Sequence, residues 1–176
     1  MGPRTRLPIS KGELSMRLID APNHLAFLAC VHDLLAEPKV QSMRTFIHHP
    51  GVTCYEHSIF VAYVAFRLAR RWRLNYMACA RAGLLHDLYL YRWNDQSAHP
   101  GNQCLDHPEF ALRNAQTITK LSPMERNIIQ AHMWPLAIHM PHSREAWTVS
   151  LADKICATIE TIQLWKRMKL RTVLAQ

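Results

Sequence analysis

Six side chains of metal-binding type occur along the chain, and their identity is its strongest indication of chemistry. They are four histidines and two aspartates: His57, His86, Asp87, His107, His132 and Asp153. Imidazole and carboxylate groups bind borderline divalent ions such as iron, manganese, cobalt and zinc, and six of them suffice for two ions that share a bridging ligand. The series therefore indicates a hydrolytic metal centre.

The elements that must position these residues are predicted to be helices. Apolar residues recur at helical spacing through several long segments and strand signals are almost absent, so we expect an all-α fold of about six to seven helices. A chain of 176 residues with 49% hydrophobic content is long enough for one domain with a real core. We place that domain at 21–176, after a flexible N-terminal lead-in at 1–20.

Three of the six residues fall in two consecutive predicted helices. In a helix expected over 53–72, His57 belongs to a row of apolar residues spaced by three or four. The next helix is expected over 76–90 and contains His86 and Asp87, with small residues one or two turns earlier. Small side chains let neighbouring backbones approach closely and leave room for ligands from elsewhere.

The other three residues belong to later helices. Proline is favoured as a first helical residue, so Pro108 predicts His107 at the N-terminal lip of a helix. His132 is expected in the last turn of a helix that must end before Pro135. Asp153 lies on the long last helix, where a carboxylate on a mostly apolar surface is costly unless it is paired or metal-bound.

Two rows of residues are expected to face the core from the first and last helices. The first helix is predicted over 22–36, a short one over 40–47, and the last from residue 143 onward. The predicted core-facing rows are Leu25, Leu28, Ala29, His32 and Leu35 in the first helix and Trp147, Leu151, Ile155, Thr158, Ile162 and Trp165 in the last. Asp153, Ala157 and Glu160 form the neighbouring face of the last helix.

Each metal-binding residue taken alone has an ordinary explanation. A single histidine on an apolar face is usually a hydrogen-bonded core residue, and a single aspartate is usually a helix cap or an ion-pair partner. The set is harder to explain in this way, because His57, His86 and Asp153 all lie on faces expected to be buried. Buried charge needs a partner, and a metal ion is the simplest one.

The residues around the series resemble a known superfamily, the HD-domain metal-dependent phosphohydrolases. Its signature is a first histidine, an adjacent His-Asp pair and a late aspartate. The matching residues are His57 in CYEHSIFVAYVAFRLA, His86 and Asp87 in RAGLLHDLYLY, and Asp153 in VSLADKICATIE. The resemblance covers roughly residues 38 to 165 and implies an HD-domain helical bundle.

The two intervening histidines are similar to those of the subset of the superfamily that holds two metals. They are His107 in DHPEFAL and His132 in IIQAHMWPL. The chain is most similar to uncharacterised bacterial HD-domain proteins with a comparable HMWPL and DK-x-CAT-x-E arrangement. Among proteins of known activity, it resembles the symmetrical dinucleoside tetraphosphate hydrolases and the HD-GYP phosphodiesterases, although it has no GYP motif.

The resemblance implies a division of labour within the series. The four signature residues would surround one ion, and Asp87 would bridge to a second ion held by His107 and His132. Two ions about 3.5 to 4 Å apart lower the pKa of a bridging water, and the resulting hydroxide would attack phosphorus. The expected cofactors are two divalent ions, most of all iron or manganese, with zinc, cobalt, nickel and magnesium as alternatives.

Several further residues are candidates for contact with substrate. Arg81, Lys154 and Arg92 are candidate cations for charge on the phosphoryl group, with salt bridges as the ordinary alternative for Arg81 and Lys154. In the long loop after the HD pair, Trp93 is a candidate for stacking on a nucleobase or for covering the core, and His99 for proton transfer or ligand orientation.

Histidines outside the series divide into two groups. His48 and His49 precede a likely Pro-Gly turn close to His57 in sequence, so one of them is expected to hydrogen-bond a ligand carboxylate or substrate. Four others are expected to be structural or at the surface: His24, His32, His139 and His142.

Composition limits the partners and the compartment. A formal charge of +8 favours anionic partners, but the basic clusters lie near predicted helix C-termini, where the helix dipole favours cations, so nucleic acid is not favoured. No segment reaches about 18 apolar residues, which argues against a membrane span. Five cysteines without a Cys-x-x-Cys pair indicate buried thiols in a reducing, cytoplasmic setting. A homodimer is compatible with the sequence.

The leading functional hypothesis is hydrolysis of a nucleotide or another small phosphate ester by a metal-bridging hydroxide, in a phosphomonoesterase, phosphodiesterase or pyrophosphohydrolase. Two alternatives stay open. One is a mixed-valence diiron oxygenase, which also uses six such ligands on this scaffold. The other is a metal-stabilised, non-catalytic binding module whose basic surface contacts an anionic partner.

Overall fold

A computed structural model describes residues 21–92, 95, 97 and 101–174 of the chain. The described residues are mostly helical, with seven α-helices and little strand, which confirms the all-α prediction. The predicted lead-in at 1–20 lies outside them, so the domain boundary stays a prediction. Within the described part, no helix is long and apolar enough to cross a membrane.

The helices and a small hairpin follow one another in a fixed order. The helices are α1 Ala21–Leu35, α2 Pro38–Ser42, α3 Cys54–Arg71, α4 Tyr76–Leu85, α5 Gln103–Gln116, α6 Pro123–Ala131 and α7 Arg144–Leu174. A 3₁₀ turn, Met43–Thr45, follows α2. The antiparallel strands β1 Ile47–His49 and β2 Val52–Thr53 then lead into α3.

Side-chain caps set where the site-bearing helices begin. Thr53 and Glu56 form a reciprocal capping box at the start of α3, and Ser122 and Glu125 form another at the start of α6. Each box pairs backbone N–H groups that the first helical turn leaves without partners. Both helices therefore start in a defined register.

Close packing of α3 on α4 brings the first two histidines together. A Cβ atom placed on Gly83 would lie 3.1 Å from the Cα of Ala62, so a larger residue would push the helices apart. The rings of His57 and His86 have centroids 5.4 Å apart. Close approach through small residues, as predicted from the sequence, thus positions these two side chains.

The row predicted on the first helix is confirmed only in part, because Leu28 and Leu35 pack partly buried against the core. Leu25 is 67% exposed, and the residues of α1 that are buried are Phe27, Cys30, Val31 and Leu34. This face packs on α3, where the Phe27 ring makes an edge contact with Phe66 at 5.6 Å between centroids. An aromatic contact of this kind favours the Phe27 face over the neighbouring leucine face.

The predicted core-facing row of the last helix is wrong. Trp147, Leu151 and Ile162 are 50%, 44% and 46% exposed, whereas the buried residues of α7 include Ala146, Val149, Ala152, Asp153 and Cys156. Because α7 packs against both α3 and α6, the face with smaller side chains allows closer contact. The buried face is therefore the one that carries Asp153.

Three predicted boundaries also change. The helix expected over 76–90 ends at Leu85. The segment expected as a helix over 40–47 contains α2, the 3₁₀ turn and the start of β1. Pro108 lies inside α5, which begins five residues before it, so His107 is within the helix rather than at its lip.

The described cysteines are buried free thiols, as predicted. They are Cys30, Cys54, Cys79 and Cys156. Burial raises the pKa of both Cys54 and Cys79 to about 12, so these thiols are protonated near neutral pH.

Candidate metal centre

The six histidines and aspartates predicted from the sequence lie together in the interior. None of them is more than 9% exposed. Their positions are His57 on α3, His86 and Asp87 directly after α4, His107 on α5, His132 directly after α6 and Asp153 on α7. Side chains from five parts of the chain thus converge on one point in the core.

The two oxygens of Asp87 face different pairs of histidines. Oδ2 lies 3.6 Å from Nε2 of His86 and 4.0 Å from Nε2 of His57. Oδ1 lies 3.3 Å from Nε2 of His107 and 3.6 Å from Nε2 of His132. The carboxylate therefore stands between two nitrogen pairs, as a carboxylate that bridges two ions must.

Asp153 completes the group on the Oδ2 side. Its Oδ1 lies 3.2 Å from Nε2 of His57 and 3.7 Å from Nε2 of His86. Donor atoms about 2.1 Å from a shared ion lie roughly 3.0 Å apart at right angles and about 4.2 Å apart when opposite. The observed separations fall within this range, so the cluster fits a divalent metal site.

His107 and His132 are similarly close on the Oδ1 side. Their Nε2 atoms are 2.8 Å apart. Burial lowers the pKa of His132 to about 3, and the neighbouring histidines act in the same direction, so this ring is neutral. A neutral imidazole offers one nitrogen lone pair to a metal.

Helix ends orient two of the rings. Both α4 and α6 stop one residue before a histidine, so His86 and His132 are C-cap residues. Nδ1 of His86 donates to the Gly83 carbonyl at 2.8 Å, and Nδ1 of His132 donates to the Ile129 carbonyl at 2.7 Å. A carbonyl can only accept, so Nδ1 carries the proton and the Nε2 lone pair points into the cluster.

The chain turn that carries Asp87 is held by α5. The amide of Asn114 donates to the Leu88 carbonyl at 2.8 Å. This bond pairs a backbone carbonyl of the turn that follows α4. The sequence alone gave no reason to connect Asn114 with the His-Asp pair.

One buried nitrogen of the cluster gives a further indication of a metal site. Nε2 of His86 is buried and has no hydrogen-bond partner among the described residues. A buried polar atom left unpaired costs about 1 to 3 kcal/mol. A metal ion would accept this lone pair, and the donor set around it is suited to such an ion.

The charges of the cluster depend strongly on one another. Burial opposes ionisation of Asp87 and Asp153, but the neighbouring histidines outweigh it, so the pKa of both carboxyl groups is lowered. Burial lowers the pKa of His57, whereas hydrogen bonds to Asp153 and Glu160 raise it more, to about 10. The carboxylates are therefore ionised and His57 holds a proton.

Glu160 orients the third ring. Its Oε2 lies 2.9 Å from Nδ1 of His57, and its side chain is 8% exposed. A carboxylate behind a histidine fixes the ring so that the other nitrogen faces the metal position. Sequence reasoning placed Glu160 on the face of Asp153 without giving it a role, although its separation of two helical turns from Asp153 was a usable signal.

A cavity of about 400 Å³ opens beside the cluster. Its walls include four of the six predicted ligands and a partly apolar rim. The lining residues are His48, His49, Asp87, Tyr89, His107, His132, Met133, Leu136, Asp153, Lys154 and Ala157. Tyr89, which the sequence did not single out, is fixed by a 2.8 Å hydrogen bond between its hydroxyl and the Cys54 thiol.

Lys154 reaches the cavity, as its candidate role requires. Its ammonium donates to the His132 carbonyl and to Ser150 Oγ, both at 2.9 Å. Burial lowers its pKa, and the charge of Asp153 opposes that shift. A cation thus lies at the wall of the cavity beside the cluster.

Arg81 does not reach the cavity. Its guanidinium donates to Asp33 Oδ1 at 2.7 Å, to the Cys30 carbonyl at 3.1 Å and to Thr119 Oγ1 at 3.3 Å. The placement of Arg81 at a phosphoryl group is corrected, because these contacts tie α1 to α4 and to the end of α5 instead. The salt-bridge alternative fits Arg81.

The loop candidates are less well placed by the structure. Arg92 is exposed and is not among the residues that line the described cavity. Trp93 and His99 lie outside the described residues. Their proposed contacts with substrate therefore stay predictions.

The hairpin histidines lie against the cluster. Nδ1 of His48 is 3.4 Å from Oδ2 of Asp87, and the His48 ring stacks on His57 with centroids 4.0 Å apart. One of the two histidines therefore lies beside a carboxylate of the cluster, as predicted from the sequence. Burial lowers the pKa of His48 to about 3, which the charge of Asp87 opposes.

Comparison with known families agrees with this geometry. The family model of the HD domain matches residues 54–158, more than half of the chain. The protein belongs to the HD-domain family, whose members are generally metal-dependent hydrolases of the phosphohydrolase superfamily. A search of curated proteins and a search of solved structures found no match.

Proposed function

We propose that this protein is a metal-dependent phosphohydrolase that acts on a nucleotide or another small phosphate ester. The observation that carries the proposal is the position of Asp87. Each of its oxygens lies within 4.0 Å of a different pair of histidine Nε2 atoms. Family membership indicates the class of reaction, which is metal-dependent hydrolysis of a phosphate ester. The position of Asp87 between the two histidine pairs indicates where that reaction would occur.

In the proposed centre, the ligands would divide as the family resemblance implies. His57, His86, Asp87 and Asp153 would hold one ion, and Asp87 with His107 and His132 would hold a second. Iron or manganese suits a donor set of neutral imidazoles and carboxylates. When bound, divalent ions act as Lewis acids on phosphoryl oxygens and lower the pKa of a bound water.

Lys154 contributes positive charge to the proposed reaction. Two of its donor hydrogens are directed to the His132 carbonyl and Ser150 Oγ, and its contact with the Ser150 carbonyl is longer, at 3.4 Å. Of the three contacts, the one with the Ser150 carbonyl would be lost at the smallest cost in free energy if the ammonium bound a phosphoryl oxygen instead. Even without that exchange, a fixed ammonium favours the negative charge that develops in phosphoryl transfer.

The cavity suits a small organic phosphate. Its volume of about 400 Å³ lies in the range of small-molecule sites. Tyr89, Met133 and Leu136 give one part of the wall an aromatic and apolar character. This part would contact the organic portion of the substrate, while the phosphate would face the His-Asp cluster.

A substrate screen with matched variants tests the proposal. Protein purified without oxygen is loaded with Mn²⁺ or Fe²⁺, and phosphate release is measured with nucleotides, dinucleoside polyphosphates and simple phosphate esters. Asp87→Ala should abolish hydrolysis. Asp33→Ala removes an aspartate that pairs with Arg81 outside the cavity, and it should leave turnover intact.

The same experiment separates the alternatives. Unchanged hydrolysis in Asp87→Ala would contradict the proposed site. If no ester is hydrolysed while aerobically purified protein contains two irons with a mixed-valence signal, the diiron oxygenase is the better assignment. Salt-dependent binding of an anionic macromolecule with no turnover would favour the binding module.

A further inference from the structure

The hairpin before α3 directs two adjacent histidines to the same side. Successive residues of a strand normally point to opposite faces. The pairing of β1 with β2 shifts register between Ile47 and His49, and Gly51 in the connecting turn adopts a left-handed φ of 86°. Such irregularities re-aim a side chain, and they recur beside functional sites.

The result is a close group of imidazoles next to His57. The rings of His48 and His49 have centroids 4.2 Å apart, and those of His49 and His57 are 6.3 Å apart. His48 and His49 both line the cavity. Neither histidine belongs to the signature series, so the hairpin adds donors to the centre that family membership does not assign.

Glu160 brings a carboxylate to the same place from α7. One donor atom from each of His48, His49 and Glu160 can be chosen so that all three lie within 4.8 Å of one another. Glu160 contacts His57 through Oε2. A carboxylate has about four acceptor sites on two oxygens, so this contact leaves capacity for another ligand.

His49 carries the second indication of a ligand. Its Nε2 atom is buried and has no hydrogen-bond partner among the residues described. The same condition holds for His86 in the proposed centre. In both places a nitrogen has been removed from water, and no group in the described part of the chain pairs with it.

We propose that His48, His49 and Glu160 form an additional divalent-cation site at the cavity wall, beside the six-residue centre. Two imidazoles and one carboxylate are the donor set of open zinc sites, in which water or substrate takes the remaining position. Donor atoms about 2.1 Å from a tetrahedral ion lie roughly 3.4 Å apart, so the three groups, which lie within 4.8 Å of one another, would need to close by at most about 1.4 Å. Because His48 and His49 line the cavity, a phosphate oxygen of the substrate would reach the ion from that side.

The same three residues also have possible roles that involve no additional ion. Glu160 could serve only to orient His57, and the hairpin histidines could serve only to contact substrate. In that case the chain would bind no ion outside the six-residue centre. The number and position of bound ions therefore decide between the two.

The test uses the full chain and Zn²⁺ as the probe. Crystals of zinc-loaded protein are measured at the zinc absorption edge, and zinc content in solution is measured by mass spectrometry. We expect an anomalous-scattering peak for a zinc ion within bonding distance of His49 and Glu160, separate from the zinc peaks at the six-residue centre. His49→Ala and Glu160→Gln should each remove that peak and one equivalent of zinc, while zinc stays at the centre.

The variants are chosen to keep the outcome decisive. Glu160→Gln keeps an oxygen acceptor for Nδ1 of His57, and His32→Ala removes an exposed imidazole of α1 as a matched control. Zinc at the centre but none at the hairpin would overturn this inference and leave the proposed function standing. The peak in unsubstituted protein decides the matter even if a variant fails to fold.

Discussion

The two oxygens of Asp87 face donor groups of different composition. On the Oδ2 side are three histidines, His57, His86 and His48 of the hairpin, and a second carboxylate, Asp153, with Glu160 behind His57. Among the described residues, the Oδ1 side has two histidines, His107 and His132, with a backbone carbonyl behind His132. More ligands and more negative charge favour a cation, so we expect the Oδ2 side to bind its ion more tightly.

The supporting elements differ in the same direction. The Oδ2 side is built from α3, α4 and α7, whose mutual packing forms much of the core. The Oδ1 side is built from α5 and α6, and α5 contains Pro108 directly after His107. Proline removes a backbone hydrogen bond inside a helix. In the proposed two-ion centre, the carboxylate of Asp87 would therefore join a stronger ion site to a weaker one.

The largest effect is expected from breaking the stronger side. Asp153→Ala removes one of two carboxylates there and deprives His57 of its hydrogen-bond partner at Nε2. Hydrolysis should fall by at least about 1,000-fold, because the weaker side alone cannot place the substrate and the ions. Steady-state kinetics and metal content check this. Turnover within tenfold of the unsubstituted protein would contradict the asymmetry.

Removal of the cavity cation should have an intermediate effect. In Lys154→Met the ammonium is lost while a side chain of similar length stays. We expect kcat to fall about 100- to 1,000-fold with metal content unchanged, since loss of one charge-stabilising donor has effects of this order. If metal content falls in parallel, Lys154 acts by supporting the His132 carbonyl rather than by contacting substrate.

The two sides should also respond differently to pH. The pKa of His57 is raised to about 10, so an ion entering the Oδ2 side at pH 7 must displace a proton. Its apparent affinity should therefore rise with pH up to about 10, by at most tenfold per unit. On the Oδ1 side, His132 has a pKa near 3 and is already neutral at pH 7, so this ring has no charge to lose. Calorimetry in buffers of different ionisation enthalpy measures the released proton.

Protonation of His57 determines how the stability of the metal-free protein changes with pH. Protonated His57 contributes stability that is complete below its ordinary pKa near 6.5 and is lost as pH rises through 10. Thermal unfolding of metal-free protein between pH 6 and 10 would show this loss. A flat unfolding temperature across the interval would mean that His57 is already neutral.

The smallest functional effect is expected at Arg81, which lies outside the cavity. Arg81→Met should leave metal content and kcat unchanged, because its partners are Asp33, Cys30 and Thr119. The free energy of unfolding should fall by about 1 to 3 kcal/mol from the lost contacts. Denaturant unfolding measures this change. A selective loss of activity would instead return Arg81 to the catalytic set.

The sequence predicted the ligands better than the surfaces that hold them. The six residues were identifiable because residue type is local, and burial of all six confirms that they converge. The core-facing row of α1 was only partly predicted and that of α7 was mispredicted, since the longer apolar side chains do not mark the closest contact. Trp147 is half exposed while Ala146 beside it is fully buried. Which face packs closely depends on the partner helix, and that information is not local.

Other features depended on backbone geometry that residue types do not specify. His86 and His132 were expected inside their helices, yet both follow the last helical residue and use Nδ1 to pair a free carbonyl. The hairpin was missed because two strands of three and two residues give almost no periodic signal. Glu160 contacts His57 only because α7 packs against α3, and the sequence does not specify that packing.

The number and positions of the ions bound to the His107→Ala variant test the bridging role of Asp87 most directly. The variant removes a donor from the Oδ1 side and none from the Oδ2 side. Crystals of manganese-loaded protein, measured for anomalous scattering, should show two ions flanking Asp87 in the unsubstituted chain and only the ion beside His57, His86 and Asp153 in the variant. A single ion beside Asp87 in both proteins, with equal hydrolysis, would contradict the two-sided centre.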